Sequence, residues 1–153
     1  MNGVDSVYDM IISISRDNVD QFISMVINLD DEHINKLFIE LASRGEINLA
    51  NEIFTRNNKL NLADAFIAAT LNNQLDIAKW LITIDKKIVD TKTLENLFIK
   101  SYKSNNINMA RWLYKLIPVK DADEIKFINL IKKMNGNKKI IDEFVSIAKN
   151  LTE

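Results

Sequence analysis

Apolar residues recur along this chain every three or four positions, and short polar breaks cut the pattern into pieces. That spacing predicts helices rather than strands. Val4, Tyr8, Ile11 and Ile12 form the first stripe, with Asp5 placed to cap it. Ser15-Arg16-Asp17-Asn18 interrupts, and Val19, Phe22, Ile23 and Val26 resume. Asp30 or Asp31 caps the next helix, whose stripe is Ile34, Leu37, Phe38 and Leu41. After Ser43-Arg44-Gly45 the stripe Ile47, Ala50, Ile53 and Phe54 returns. Asn61 caps a third pair, predicted at Leu62 to Leu71 and Leu75 to Thr83. Asp90 or Thr91 opens a fourth, with Leu94, Leu97, Phe98 and Ser101 inside and Ile107 to Leu116 as its return. Pro118 ends that unit, since proline cannot continue a helix. Ala122 to Met134, the turn Asn135-Gly136-Asn137 and the stripe Ile140, Ile141, Phe144, Val145 and Ala148 make a last pair.

The pieces repeat. Phe66, Asn73, Leu75, Ala78, Trp80 and Leu81 are echoed by Phe98, Asn105, Ile107, Ala110, Trp112 and Leu113, and upstream by Phe38, Gly45, Ile47, Ala50 and Ile53. The offsets are 28 residues from Ile47 to Leu75 and 32 from Leu75 to Ile107. A period in this range marks a solenoid. The expected fold is all-α: about five stacked helix-turn-helix hairpins with short connections. Residues 1–30 read as an N-terminal cap hairpin, 31–118 as three core repeats and 119–153 as a C-terminal cap hairpin within a single domain. Asn tolerates left-handed backbone better than other non-glycine residues, so Asn73 and Asn105 can stand where Gly45 stands. The small Ala50, Ala78 and Ala110 let helices approach closely. Trp80 and Trp112 are expected to pack between repeats, the other reading being an aromatic surface for a base or a peptide.

Composition narrows the chemistry. The chain of 153 residues is 47% apolar, enough for a core and against disorder. Its net charge of −1 provides no global field for nucleic acid or anionic lipid. Cysteine is absent, which removes disulfides, thiol nucleophiles and thiolate metal sites and fits a reducing compartment. No apolar run approaches a membrane span, and the N-terminus has no basic segment of the signal-peptide kind.

The unit Phe66-Ile67-Ala68-Ala69-Thr70-Leu71-Asn72-Asn73-Gln74-Leu75-Asp76-Ile77-Ala78-Lys79-Trp80-Leu81 resembles an ankyrin repeat. Ala69 matches the alanine run of the family, Leu75-Asp76 its Leu-Glu pair and Leu81 the leucine of its return helix. Ile77-Ala78-Lys79-Trp80-Leu81 and Met109-Ala110-Arg111-Trp112-Leu113-Tyr114 look like the degenerate ankyrin repeats carried by large DNA viruses. The resemblance covers residues 15–118. The family's opening Thr-Pro is missing, Ile39, Ile67 and Ile99 replace its His, and the 28-residue spacing leaves little room for projecting fingers between repeats. The resemblance implies a protein–protein interaction module, an adaptor or scaffold, of viral host-interaction or virion-associated setting, in host cytoplasm or virion. It also implies partner contacts on the concave face, at Glu40, Ser43 and Arg44, then Ala68, Leu71 and Asn72, then Lys100, Lys103 and Ser104. Leu37 to Phe54 and Leu97 to Tyr114 are also similar to pentatricopeptide units, which read single-stranded RNA base by base. The short period and neutral charge argue against that alternative. A structural subunit of a larger assembly, including self-association, is the other.

Candidate chemistry is sparse. His33 follows Asp30-Asp31-Glu32, which reads first as a capped helix start and second as a metal cluster without a second histidine. No phosphate-cradling glycine loop and no acid–base pair of carboxylates stands out. Lys132-Lys133 and Lys138-Lys139 make a small basic patch around the Asn-Gly turn, read first as a solvated turn. The expectation is therefore a non-enzyme with no catalytic residue, cofactor or metal.

Overall fold

The computed structural model describes residues 8–13, 17–57, 59–118 and 142. Among them every regular element is a helix. The fold class is all-α. Residues 8–13 are helical, followed by α1 (Val19–Val26), α2 (Asp31–Ser43), α3 (Ile47–Phe54), α4 (Leu62–Leu71), α5 (Leu75–Ile84), α6 (Thr91–Lys103) and α7 (Ile107–Leu116). None of these helices is long and apolar enough to cross a membrane. The chain divides into two compact units, Met1–Asp90 and Thr91–Glu153, a boundary inside the stretch 31–118 that reads as core repeats. Val4, Asp5, the pair beyond Ala122 and the lysine patch lie outside the described residues.

The helix starts follow from their caps. Asn18, Asp30 and Asn61 precede α1, α2 and α4, and the side chain of each accepts from the backbone N–H three residues on. Each thus satisfies one of the donors that a helix N-terminus leaves open.

The turns are alike to the hydrogen bond. Three residues link α2 to α3, α4 to α5 and α6 to α7. In each link the middle residue is left-handed: Gly45 at φ 74°, Asn73 at 58° and Asn105 at 63°. Their N–H groups donate to Ala42, Thr70 and Tyr102, at 3.2, 3.2 and 3.0 Å. The next N–H of each link reaches five residues back, from Glu46 to Leu41, Gln74 to Ala69 and Asn106 to Ser101, at 2.9, 2.8 and 2.9 Å. This is the Schellman pair of bonds, which satisfies the last carbonyls of the outgoing helix. Glu46, Gln74 and Asn106 then begin the return helices without a side-chain cap, each accepting through its carbonyl from the N–H of Ala50, Ala78 or Ala110. One residue closes one helix and opens the next, so the hairpin is as tight as the backbone allows.

Burial repeats in register with the turns. Phe38, Phe66 and Phe98 are fully buried, and so are Ala50, Ala78 and Ala110. Ile53, Leu81 and Leu113 hold a third equivalent position, at 1% exposure or less. Between the second and third turns the extra four residues have a simple origin. α5 is two residues longer than α3, α6 is three longer than α4, and the connection before α6 is one shorter than that before α4.

Within the first unit α2 packs on α3, α4 packs on α5, and the two pairs join through α2 against α4, while α1 lies against α3. Trp80 closes the seam from α5, its ring centroid 6.3 Å from that of Phe38 and 5.7 Å, edge-on, from that of Phe54. It packs between hairpins, as its place two residues after Ala78 predicts. Thr70, buried on α4, keeps its hydroxyl satisfied by donating to the carbonyls of Phe66 and Ile67. In the second unit the Phe98 ring lies tilted against Tyr114 and Tyr102, with centroids 5.8 and 6.3 Å away.

Candidate functional site

Two ends of the first unit present side chains to solvent, and they differ. At the turn end, α2 and α4 run in the same direction and their turns touch: a Cβ added to Gly45 would stand 2.3 Å from Gln74 Oε1. Glu40, Ser43 and Arg44 therefore lie at the same end as Ala68, Leu71 and Asn72. Leu71 is 46% exposed, one of three large apolar side chains so placed among the described residues. Ala68 is half-buried, and its carbonyl is taken by Asn72, through the backbone N–H and the side-chain Nδ2 at 2.8 Å. Lys100, Lys103 and Ser104 are exposed at the matching positions of the second unit.

Glu40 and Arg44 are engaged internally. Arg44 Nε donates to Glu40 Oε1 at 2.8 Å, and its Nη1 binds the Asp9 carboxylate. Burial works against the Arg44 charge, but the bonds from Glu40 and Asp9 outweigh it and hold the guanidinium above its ordinary pKa. One side chain thus ties the helix at 8–13 to the end of α2. Glu40 and Arg44 are four apart on one helix face, a pairing visible in sequence. Asp9, 35 residues before Arg44, carries no local signal of its role.

At the connection end, the backbone is irregular and side chains hold it. Asn35 Oδ1 accepts from the Asn61 N–H at 2.7 Å, and its Nδ2 donates to the carbonyls of Lys59 and Asp31, both at 3.1 Å. One amide thereby clamps the start of α4 against α2. Asp30 accepts from the His33 N–H at 2.9 Å and meets His33 Nδ1 at 2.6 Å. The backbone hydrogen bond, then the side-chain one, hold the Asp30 carboxyl below its usual range. His33 thus belongs to a capped helix start. Among the described residues no group of three or more His, Cys, Asp or Glu stands close enough to hold a metal ion.

The same end contains a cavity of about 120 Å³, between α1, the start of α2 and the end of α3. Phe22, Val26, Leu29, Ile34 and Ile53 line it, and Ile27, 69% exposed, forms its lip. Glu52, Arg56 and Asn57 supply a polar edge, with Arg56 Nη1 on Glu52 Oε2 at 2.6 Å and Asn57 Nδ2 on the Ile53 carbonyl at 2.8 Å. None of these residues belongs to the set expected from sequence, which lies at the opposite end. Only the apolar Ile27 next to the polar Asn28 could have hinted at it.

Fold and surface together define a class: an all-helical protein of repeated tight hairpins. Compared with protein families, characterised proteins and solved structures, the chain matches none.

Proposed function

We propose that this chain is a non-enzymatic protein–protein interaction module, an ankyrin-like solenoid of about five hairpins with short connections. The observation that carries the reading is the threefold recurrence of one hairpin: the same left-handed turn residue, the same two Schellman bonds, the same buried Phe and Ala. A hairpin of two short helices leaves apolar flanks that only neighbours can cover, so repetition builds an extended surface rather than a pocketed centre. Partner contacts fall on the outgoing helices near their turns. Leu71 is the apolar anchor in the first unit, with Ser43, Ala68 and Asn72 around it and Glu40 and Arg44 as an ion-paired margin. Lys100, Lys103 and Ser104 are the equivalent contact positions of the second unit. An adaptor or scaffold acting in the cytoplasm, in a viral host-interaction or virion-associated setting, is the role this reading assigns.

The test is a pull-down from native-source lysate with wild type, Leu71→Arg and Lys100→Glu, all first shown to have the same helical circular dichroism. The expected result is one protein partner lost on Leu71→Arg, with a weaker effect of Lys100→Glu. Identical partners in all three proteins would overturn the assignment. So would binding to single-stranded RNA that falls steeply with salt.

A further inference from the structure

We propose that the outward stripe of α6, formed by Lys92, Asn96, Lys100 and Lys103, binds an extended acidic segment of a polypeptide partner. The proposal rests on the interaction reading and names the partner chemistry that the second unit selects.

Helix geometry makes the stripe. At 3.6 residues per turn these four positions fall within an arc of about 80°, and all four are exposed. Leu94, Leu97, Phe98, Ser101 and Tyr102 are buried on the opposite side. From Thr91 to Pro118 the chain has five cations and a single carboxylate, Glu95, a net charge of +4. The rest of the chain carries −5, so the overall −1 conceals a segregation.

The equivalent stripe of α2, 60 residues earlier, is built differently. Glu32, Lys36, Glu40 and Arg44 alternate in sign, and they pair within the helix at 3.0 Å and 2.8 Å. That stripe neutralises itself. In α6 the places of Glu32 and Glu40 are taken by Lys92 and Lys100, and Asn96 stands for Lys36. Among the described residues none of Lys92, Lys100 and Lys103 is paired with a carboxylate. The helix dipole favours Lys100 and Lys103 in the last turn, but it disfavours Lys92 in the first. Helices α1, α2, α4 and α5 carry an acid in that first turn, and α6 carries none. Helix stability therefore accounts for only part of the stripe, and the whole of it suits an external anion.

Spacing and chemistry select the anion. Lys92 and Lys103 are about 16 Å apart along the axis. An extended segment of about six residues covers that length, its alternate side chains pointing one way about 7 Å apart. Single-stranded nucleic acid is favoured less. No aromatic side chain is exposed among the described residues for bases to stack on, and lysine lacks the planar fork that arginine offers to phosphate.

The experiment titrates the full chain, labelled with nitrogen-15, with acetyl-Glu-Ser-Glu-Ser-Glu-Ser-Glu-amide at about 0.1 M salt, following backbone amide shifts. The analogue with Gln for Glu and an oligothymidylate of equal charge serve as comparisons. The expected result is saturable shifts at Lys92, Lys100, Lys103 and Ser104, at least about tenfold weaker with the Gln analogue. Lys100→Glu with Lys103→Glu should weaken binding by a similar factor. Lys86→Glu with Lys87→Glu, an exposed lysine pair of the first unit, should leave it within about twofold. No saturable shift, or equal losses in the two double variants, overturns the proposal. Tighter binding of the oligothymidylate also overturns it and makes nucleic acid the occupant. If the peptide fails while the Leu71→Arg pull-down still loses a partner, the stripe falls and the interaction reading stands. If both fail, both fall.

Discussion

The turn end and the connection end of the first unit solve the same problem, reversal of the chain, by different means. At the turn end the backbone does the work. Two main-chain hydrogen bonds and one left-handed residue close α2 onto α3 and α4 onto α5. At the connection end side chains do the work. Asn35, Asp30 and Asn61 satisfy the backbone, and the connection lengths differ from one hairpin to the next. A backbone-encoded turn repeats because its requirement is purely conformational. A side-chain-encoded connection is individual, and individual surface is where a cavity such as that beside Ile34 can arise.

The comparison predicts different responses to substitution. Unfolding of the first unit can be followed through Trp80 fluorescence in a Trp112→Phe background. Gly45→Ala should have the largest effect, about 1–2 kcal/mol from forcing a Cβ into left-handed backbone. The added methyl also displaces the flexible end of Gln74. Adding Gln74→Ala should recover only that steric part, whereas Asn73→Gly should be close to neutral. Full recovery in the double variant would show that the turns are held by contact rather than by conformation.

Asn35→Ala comes next, at roughly 1 kcal/mol, because water can replace part of what an exposed amide loses. Its signature is local: faster amide hydrogen exchange at Asn61 and Asp64, with the 44–46 turn unchanged. Equal acceleration at both ends would erase the distinction.

The smallest effect is that of pH on Asp30. Its folded carboxyl titrates below the ordinary value of 3.8, so its contribution is complete above that value and is lost as pH falls through the lowered one. Asp30→Asn keeps the cap, since Asn caps as well as Asp. It should remove that component from the acid-unfolding curve below about pH 4. Identical curves for the two proteins would sink the assignment.

Much of this was legible in the chain itself. Gly45, Asn73 and Asn105 are the residue types that left-handed backbone tolerates, and they sit at the echoed positions. The helix bounds Leu62–Leu71 and Ile107–Leu116 fall where the apolar stripes place them. Asp30 and Asn61 cap as their position before a stripe predicts. Counting back from each turn puts Leu71 on the surface, and it is exposed there. What engages Arg44 was only half legible: Glu40 lies four residues before it, but Asp9 is a partner no helical spacing could name.

Sequence by itself determined the local geometry: which segments are helical, where they stop, and which face of each is apolar. Those properties depend on propensity, capping and periodicity, all set within a few residues. Tertiary structure alone decided that Asn35 reaches Lys59 and Asn61, that Trp80 lies between Phe38 and Phe54, and that Phe22, Ile34 and Ile53 leave a gap. These depend on how residues distant along the chain approach in space, and helix packing angles and side-chain volumes settle that only once the hairpins are assembled.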